Sequence, residues 1–181
     1  MIKYFSNLLT LMGLSLLTAC SGNTRSWNEE VKLLDGRVIV VTQKRLLQND
    51  ILTRDEWLTI SLPEFSTQPI EWHEALDPMV VNVFDKHLYI VALPPTDREN
   101  ERYGNPKPSY IGYRWNGKAW ERIAFSDIPV AIYDANMLVN DPPDRSVHLL
   151  TLSQKNGEKM NGSLNLRTRN LRINPKEYFF N

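Results

Sequence analysis

The sequence predicts a mainly β chain: a single antiparallel β domain of seven to nine short strands with one or two short helices, after an N-terminal targeting segment. Three observations carry this. Apolar and polar residues alternate with a period of two over short runs, as in 56–62, where Leu58, Ile60 and Leu62 fall on one side. Asp35-Gly36 and Asn116-Gly117, dipeptides that hairpin turns prefer, interrupt two further runs. The pairs Pro94-Pro95 and Pro142-Pro143 end two more, because proline cannot donate to a ladder.

Residues 1–19 open with a short basic start at Lys3 and an apolar run from Leu8 to Leu17. A membrane-crossing helix needs roughly 20 apolar residues, so this run reads as the core of an export signal and not as a permanent span. Residues 20–26 (Cys20, then the polar Ser21-Gly22-Asn23-Thr24) read as a flexible tether, and 27–181 as one β-rich domain.

Within the domain, 31–34 and 37–41 form a hairpin about Asp35-Gly36. A two-residue type I′ turn sets Leu33 opposite Val38 and Val31 opposite Val40, with these four on one apolar face. Residues 79–84 and 87–93 flank a tight turn at Asp85-Lys86. Residues 94–109, rich in proline and charge, read as a long exposed loop, with 97–102 as solvated surface. The hairpin about Asn116-Gly117 sets Trp115 opposite Lys118 and Tyr113 opposite Trp120, so that Ile111, Tyr113, Trp115 and Trp120 share a face. Asp127 is placed to cap a short helix with Pro129 in its first turn, and 137–139 to form a strand. Residues 146–152 read as extended, 153–160 as a short helix or a loop, and 163–173 as a strand candidate.

Composition excludes several function classes. The 181 residues carry 21 basic and 21 acidic side chains, so the net charge is zero. Nucleic-acid binding is not expected without a basic face. Cys20 is the one cysteine, so disulfides cannot hold the domain together. Stability must come from an apolar core, which a 42% hydrophobic content can supply.

Catalytic and metal-binding patterns are sparse. His73, His87 and His148 lie in no zinc-ligand spacing, and no metal or cofactor is expected. There is no Gly-x-Ser-x-Gly elbow and no phosphate-binding glycine loop. The densest set of polar chemistry is Glu71, His73, Glu74 and Asp77, which would serve an envelope enzyme acting on a glycan or peptide if the side chains converged; the expected reading is a solvated edge beside Trp72. Tyr113, Trp115 and Trp120 form a candidate binding surface for a sugar or partner, with a β core as the alternative. Arg167 and Arg169 would project from one strand face toward head-group phosphates, an acidic partner or solvent.

The tetrapeptide Leu17-Thr18-Ala19-Cys20 at the end of the apolar run resembles the lipobox of bacterial lipoproteins. That resemblance implies cleavage before Cys20 and lipidation of Cys20 with diacylglycerol and a further acyl chain such as palmitate. It also implies an attachment to the envelope membrane, with Ser21 favouring the outer membrane, facing the periplasm or the cell surface. The stretch 27–40 and the Asn116-Gly117 hairpin resemble uncharacterised proteobacterial lipoproteins, some of them prophage-associated. This implies a prophage-encoded envelope or host-surface factor as one alternative, and no functional residues. The expected function is non-catalytic: a membrane-anchored β domain that binds or scaffolds an envelope protein or glycan.

Overall fold

The computed structural model describes residues 23–48, 52–139, 142, 146–155 and 171–176. Nine strands lie among them: β1 Asn23–Lys32, β2 Val38–Gln48, β3 Leu52–Ile60, β4 Ile70–Glu74, β5 Asp77–Phe84, β6 His87–Leu93, β7 Ile111–Trp115, β8 Trp120–Ile123 and β9 Leu149–Leu150. They form two sheets, ordered β4-β3-β2-β1-β9 and β5-β6-β7-β8. Every pairing is antiparallel except β1 with β9. The two helices, α1 Asp97–Arg102 and α2 Leu152–Lys155, are short. The expected mainly β class, strand number and helix number therefore hold.

The sheets pack face to face over a shared core. Val31, Leu33, Val41, Leu58, Ile60 and Trp72 of the first sheet share a buried cluster with Val81, Leu88, Ile90, Ile111 and Tyr113 of the second. Each fully buried aliphatic side chain contributes about 1.5–3 kcal/mol, so this cluster is the main stabilising term. Chain passes between the sheets through Ala75-Leu76, both buried. Asn136 ties them on another side: its Nδ2 donates to Lys32 O (3.0 Å) and Val81 O (2.7 Å), and its Oδ1 accepts from Val81 N. One side chain thus satisfies backbone groups of both sheets.

The first hairpin departs from the predicted register by one residue. Lys32 faces Val38, Val31 faces Ile39, and Glu30 faces Val40. The turn explains this. Leu33 N donates to Arg37 O and Gly36 N to Leu33 O, and Gly36 is the turn residue with positive φ, at 89°. That is a three-residue loop ending in a left-handed glycine, not a two-residue type I′ turn. A one-residue slip exchanges the faces of a strand. Val31 and Leu33 are buried, whereas Val38 and Val40 are half exposed on the outer face.

The second hairpin slips by two, which preserves the faces. Trp115 lies opposite Trp120 and Tyr113 opposite Arg122. The Asn116 side chain accepts from Lys118 N and Ala119 N, and Asn116 N donates to Ala119 O, so the loop has four residues. The Asp85-Lys86 turn is as predicted, both residues adopting positive φ (45° and 61°) between Phe84 and His87. Gly112 of β7 sits where an added Cβ would lie 2.7 Å from Ile128 Cγ1, so this glycine permits the close approach.

Other expectations are corrected. The tether is shorter than residues 20–26, because β1 begins at Asn23 and pairs Asn23 to Ser26 with Leu47 to Lys44. The long β2 offers backbone partners there, and Ser26 Oγ donates to Gln43 O. Residues 94–109 are not all loop: Thr96 caps α1, with Glu99 N donating to Thr96 Oγ1 and the Thr96 hydroxyl bonded to the Glu99 carboxylate. Thr-x-x-Glu is a capping-box signature. Glu99 and Asn100 are buried, so 97–102 is not wholly solvated surface. The helix expected after Asp127 is two 3-10 turns, Phe125–Asp127 and Val130–Ile132. Ile128, forced extended by Pro129, separates them. Residues 137–139 form no strand; Met137 N donates to Met79 O and Leu138 N to Glu29 Oε1, which satisfies the backbone without a ladder. Residues 156–160 and 163–170 lie outside the described residues.

Candidate functional site

The aromatic hairpin residues are brought together, but toward the core. Tyr113 is buried, its ring meeting Trp72 edge-on at 5.6 Å. Trp115 and Trp120 are half-buried, pack edge-to-face at 5.5 Å and rest against the same cluster. Trp120 Nε1 donates to Glu71 O of β4 (2.9 Å), closing the end of the core between the sheets. Of this candidate surface, only edges of the two tryptophans reach solvent.

The set Glu71, His73, Glu74 and Asp77 does not converge. Glu71 and His73 point outward from β4, as alternation requires. His73 stacks on Trp57 (centroids 4.3 Å apart) and lies 3.3 Å from the Asp55 carboxylate. Glu74 instead accepts from Tyr103 Oη at 2.7 Å. Asp77 faces inward, accepting from Thr53 Oγ1 (2.6 Å) and lying 3.6 Å from Arg45 Nη2. His87 and His148 are exposed and lie apart from this set in the chain. Among the described residues, no group of three or more histidine, cysteine, aspartate or glutamate side chains is placed to hold a metal ion.

The densest polar chemistry is a buried charge cluster that the sequence reading missed. Glu29 of β1, Gln43 and Arg45 of β2, and Glu56 of β3 all face inward, each no more than 3% exposed. They occupy the half of the first sheet where Trp27, Leu138 and Leu150 form a small separate apolar cluster. Arg45 Nε donates to Glu56 Oε2 at 2.5 Å, and its guanidinium lies 5.5 Å from the Trp27 ring. Glu29 accepts from Leu138 N (2.8 Å), the Gln43 amide and Lys155 Nζ (2.6 Å). Lys155, itself buried, also donates to Glu30 O and Asn136 O. Residues 136–139 and 150–155 therefore lie over the polar half of the sheet as a cover. Charges of both signs are paired and closed off, which suits holding a fold and not exchanging protons with substrate.

A second inward group surrounds Glu74. Tyr103 Oη accepts from Ala75 N and donates to the Glu74 carboxylate. Burial, then this hydrogen bond and the carboxylate charge, pushes the Tyr103 phenol well above its ordinary value of 10.0. Tyr113 is pushed up in the same direction, by burial first and the Glu74 charge second. Both stay neutral in the folded state where an unfolded tyrosine ionises. Their contribution to stability is complete below pH 10 and is lost as pH rises beyond it. A spectrophotometric base titration is therefore expected to show these two phenolates emerging together with loss of β circular dichroism; their emergence from a chain still folded would contradict this.

Cys20, Arg167 and Arg169 lie outside the described residues. Shallow depressions flank the domain. One of about 210 Å³ runs along Asn23 to Trp27 beside Pro142 and Val147. Another, of about 420 Å³, lies between Lys107 and Arg122 over Ile123 and Phe125. Neither contains the paired carboxylates or the histidines.

A scan against protein-family models found no match, and searches of curated proteins and of solved structures found no significant match to this chain.

Proposed function

We propose that this chain is a lipid-anchored protein of the bacterial envelope, attached through Cys20, whose β domain binds or scaffolds an envelope protein or glycan without catalysis. The observation that carries the reading is Leu17-Thr18-Ala19-Cys20 at the end of an apolar run too short to span a bilayer. One further point supports it. The inward-facing charges are engaged in pairs that hold the cover onto the sheet, which favours a rigid scaffold.

Two or more acyl chains, at about 0.8 kcal/mol per buried methylene, give stable anchoring where one gives only reversible binding. Cys20→Ala is therefore expected to abolish labelled-palmitate incorporation and to move the protein out of the membrane fraction. A variant that takes up as much palmitate as the parent and still sediments with membranes would refute the anchor. For the binding role, crosslinking of the anchored protein followed by mass spectrometry is expected to recover an envelope protein or glycan fragment.

A further inference from the structure

We infer that the domain stands directly on the lipid surface, with the Asn23 end of the first sheet against the head groups and the β1–β2 turn outermost. The inference rests on the anchoring proposed above and adds an orientation and a membrane-facing surface to it. Its basis is the position of β1. Pairing with β2 begins at Asn23, opposite Leu47. Three residue-to-residue steps separate Cys20 from Asn23, and they span at most about 10 Å when fully extended. A lipidated Cys20 sits at the head-group boundary, so Asn23 cannot be farther from it than that.

The pairing of β1 with β2 sets how far the sheet reaches from that point. β1 and β2 are paired without interruption from Asn23↔Leu47 to Lys32↔Val38. Ten residues of strand at ~3.3 Å each put the turn about 30 Å from Asn23. The end of β2 at Gln48 and the start of β3 at Leu52 share the membrane-proximal end. The depression of about 370 Å³ lined by Gln48, Thr53, Thr96, Asp97, Arg98 and Glu99 opens there as well. The occupant of this rim is the phospholipid head-group layer, because the chain leading to it is too short to let anything larger intervene. A lipid-anchored domain on a long linker would tumble freely and present every face; here the short connection keeps the Asn23 end within about 10 Å of Cys20. The half-exposed Leu34, Val38 and Val40 at the far end are held away from lipid and toward any envelope partner.

The test uses full-length lipidated protein in liposomes of phosphatidylethanolamine and phosphatidylglycerol doped with a head-group nitroxide lipid. A fluorophore is attached at Thr24→Cys or Gln48→Cys at the near end, and at Val38→Cys or Val40→Cys at the far end, with Cys20 already blocked by its lipid. Nitroxide quenching acts over short range, so the near-end labels are expected to be quenched several-fold more than the far-end labels. Inserting about twenty Gly/Ser residues after Gly22 is expected to erase that difference. Equal quenching at both ends in protein that carries palmitate would overturn the upright placement and leave the anchor standing. Protein that carries no palmitate would overturn the anchor, and this inference with it. Using two labels at each end guards against one substitution disturbing the fold.

Discussion

Lys155→Met is expected to lower the unfolding free energy by about 3–5 kcal/mol, the range for removing one partner of a buried ion pair. Lys155 Nζ reaches three acceptors: Glu29 Oε1 at 2.6 Å, Glu30 O at 2.7 Å and Asn136 O at 2.5 Å. Glu29 is fully buried, so solvent cannot replace the lost charge. Methionine retains most of the apolar stem, which separates the loss of charge from a loss of packing. Urea denaturation of the parent and variant measures the effect. The double variant Glu29→Gln/Lys155→Met is expected to recover part of the loss, since no unbalanced charge then remains inside. A single-variant change under 1 kcal/mol would show that the pair contributes little. Hydrogen exchange is expected to report the same event locally, because α2 and β9 lose their tie to β1 and open before the sheet does.

Strand parity explains why much of the fold is legible in the sequence and this cluster is not. The alternation of Leu58, Ile60 and Leu62 and the turn dipeptides locate the strands, because burial on one face imposes a period of two whatever the partner. Which face goes inward depends on register, and register depends on turn geometry. Asp35-Gly36 suits both a two-residue turn and a three-residue loop that ends in a left-handed glycine. Choosing the first turns Val38 and Val40 inward and Gln43 and Arg45 outward. The observed register does the reverse for β2, and so places Gln43 and Arg45 between Glu29 and Glu56. One residue of slip therefore separates an ordinary apolar face from a buried charge cluster.

Long-range closure is illegible for a different reason. Lys155 lies 126 residues from Glu29, and nothing near either residue marks the pairing. Asn136 likewise reads as a loop residue until Val81 and Lys32 are seen on either side of it. The capping box at Thr96 and Glu99 is a local signal and was readable; the proline-rich, charged composition around it pointed to loop. For the candidate site, the aromatic face of the second hairpin survives a two-residue slip because an even shift preserves parity. Its inward direction was decided by the other sheet, through Trp72 and Glu71.

Arg45→Met tests whether the cluster acts as one unit, and is expected to cost about 3–5 kcal/mol as well. Arg45 joins three elements: Nε donates to Glu56 of β3, Nη1 to Val139 O of the cover (3.3 Å), and Nη2 approaches Asp77 of β5. Without the guanidinium, Glu56 and Asp77 keep like charges near one another and lose their shared cation, and Trp27 loses a cation–π partner worth about 0.5–2 kcal/mol. Arg45→Lys retains the charge but not the planar fork that serves several acceptors at once, so an intermediate loss is expected. Combining Arg45→Met with Lys155→Met distinguishes two arrangements. Independent pairs give additive losses within about 0.5 kcal/mol. A single network held down by residues 136–139 gives a sub-additive loss, because either substitution alone already releases this cover: Lys155 holds it at Asn136 O, and Arg45 holds it three residues away at Val139 O. Sub-additivity above about 1 kcal/mol is the expected result, since both cations grip the same short segment of chain.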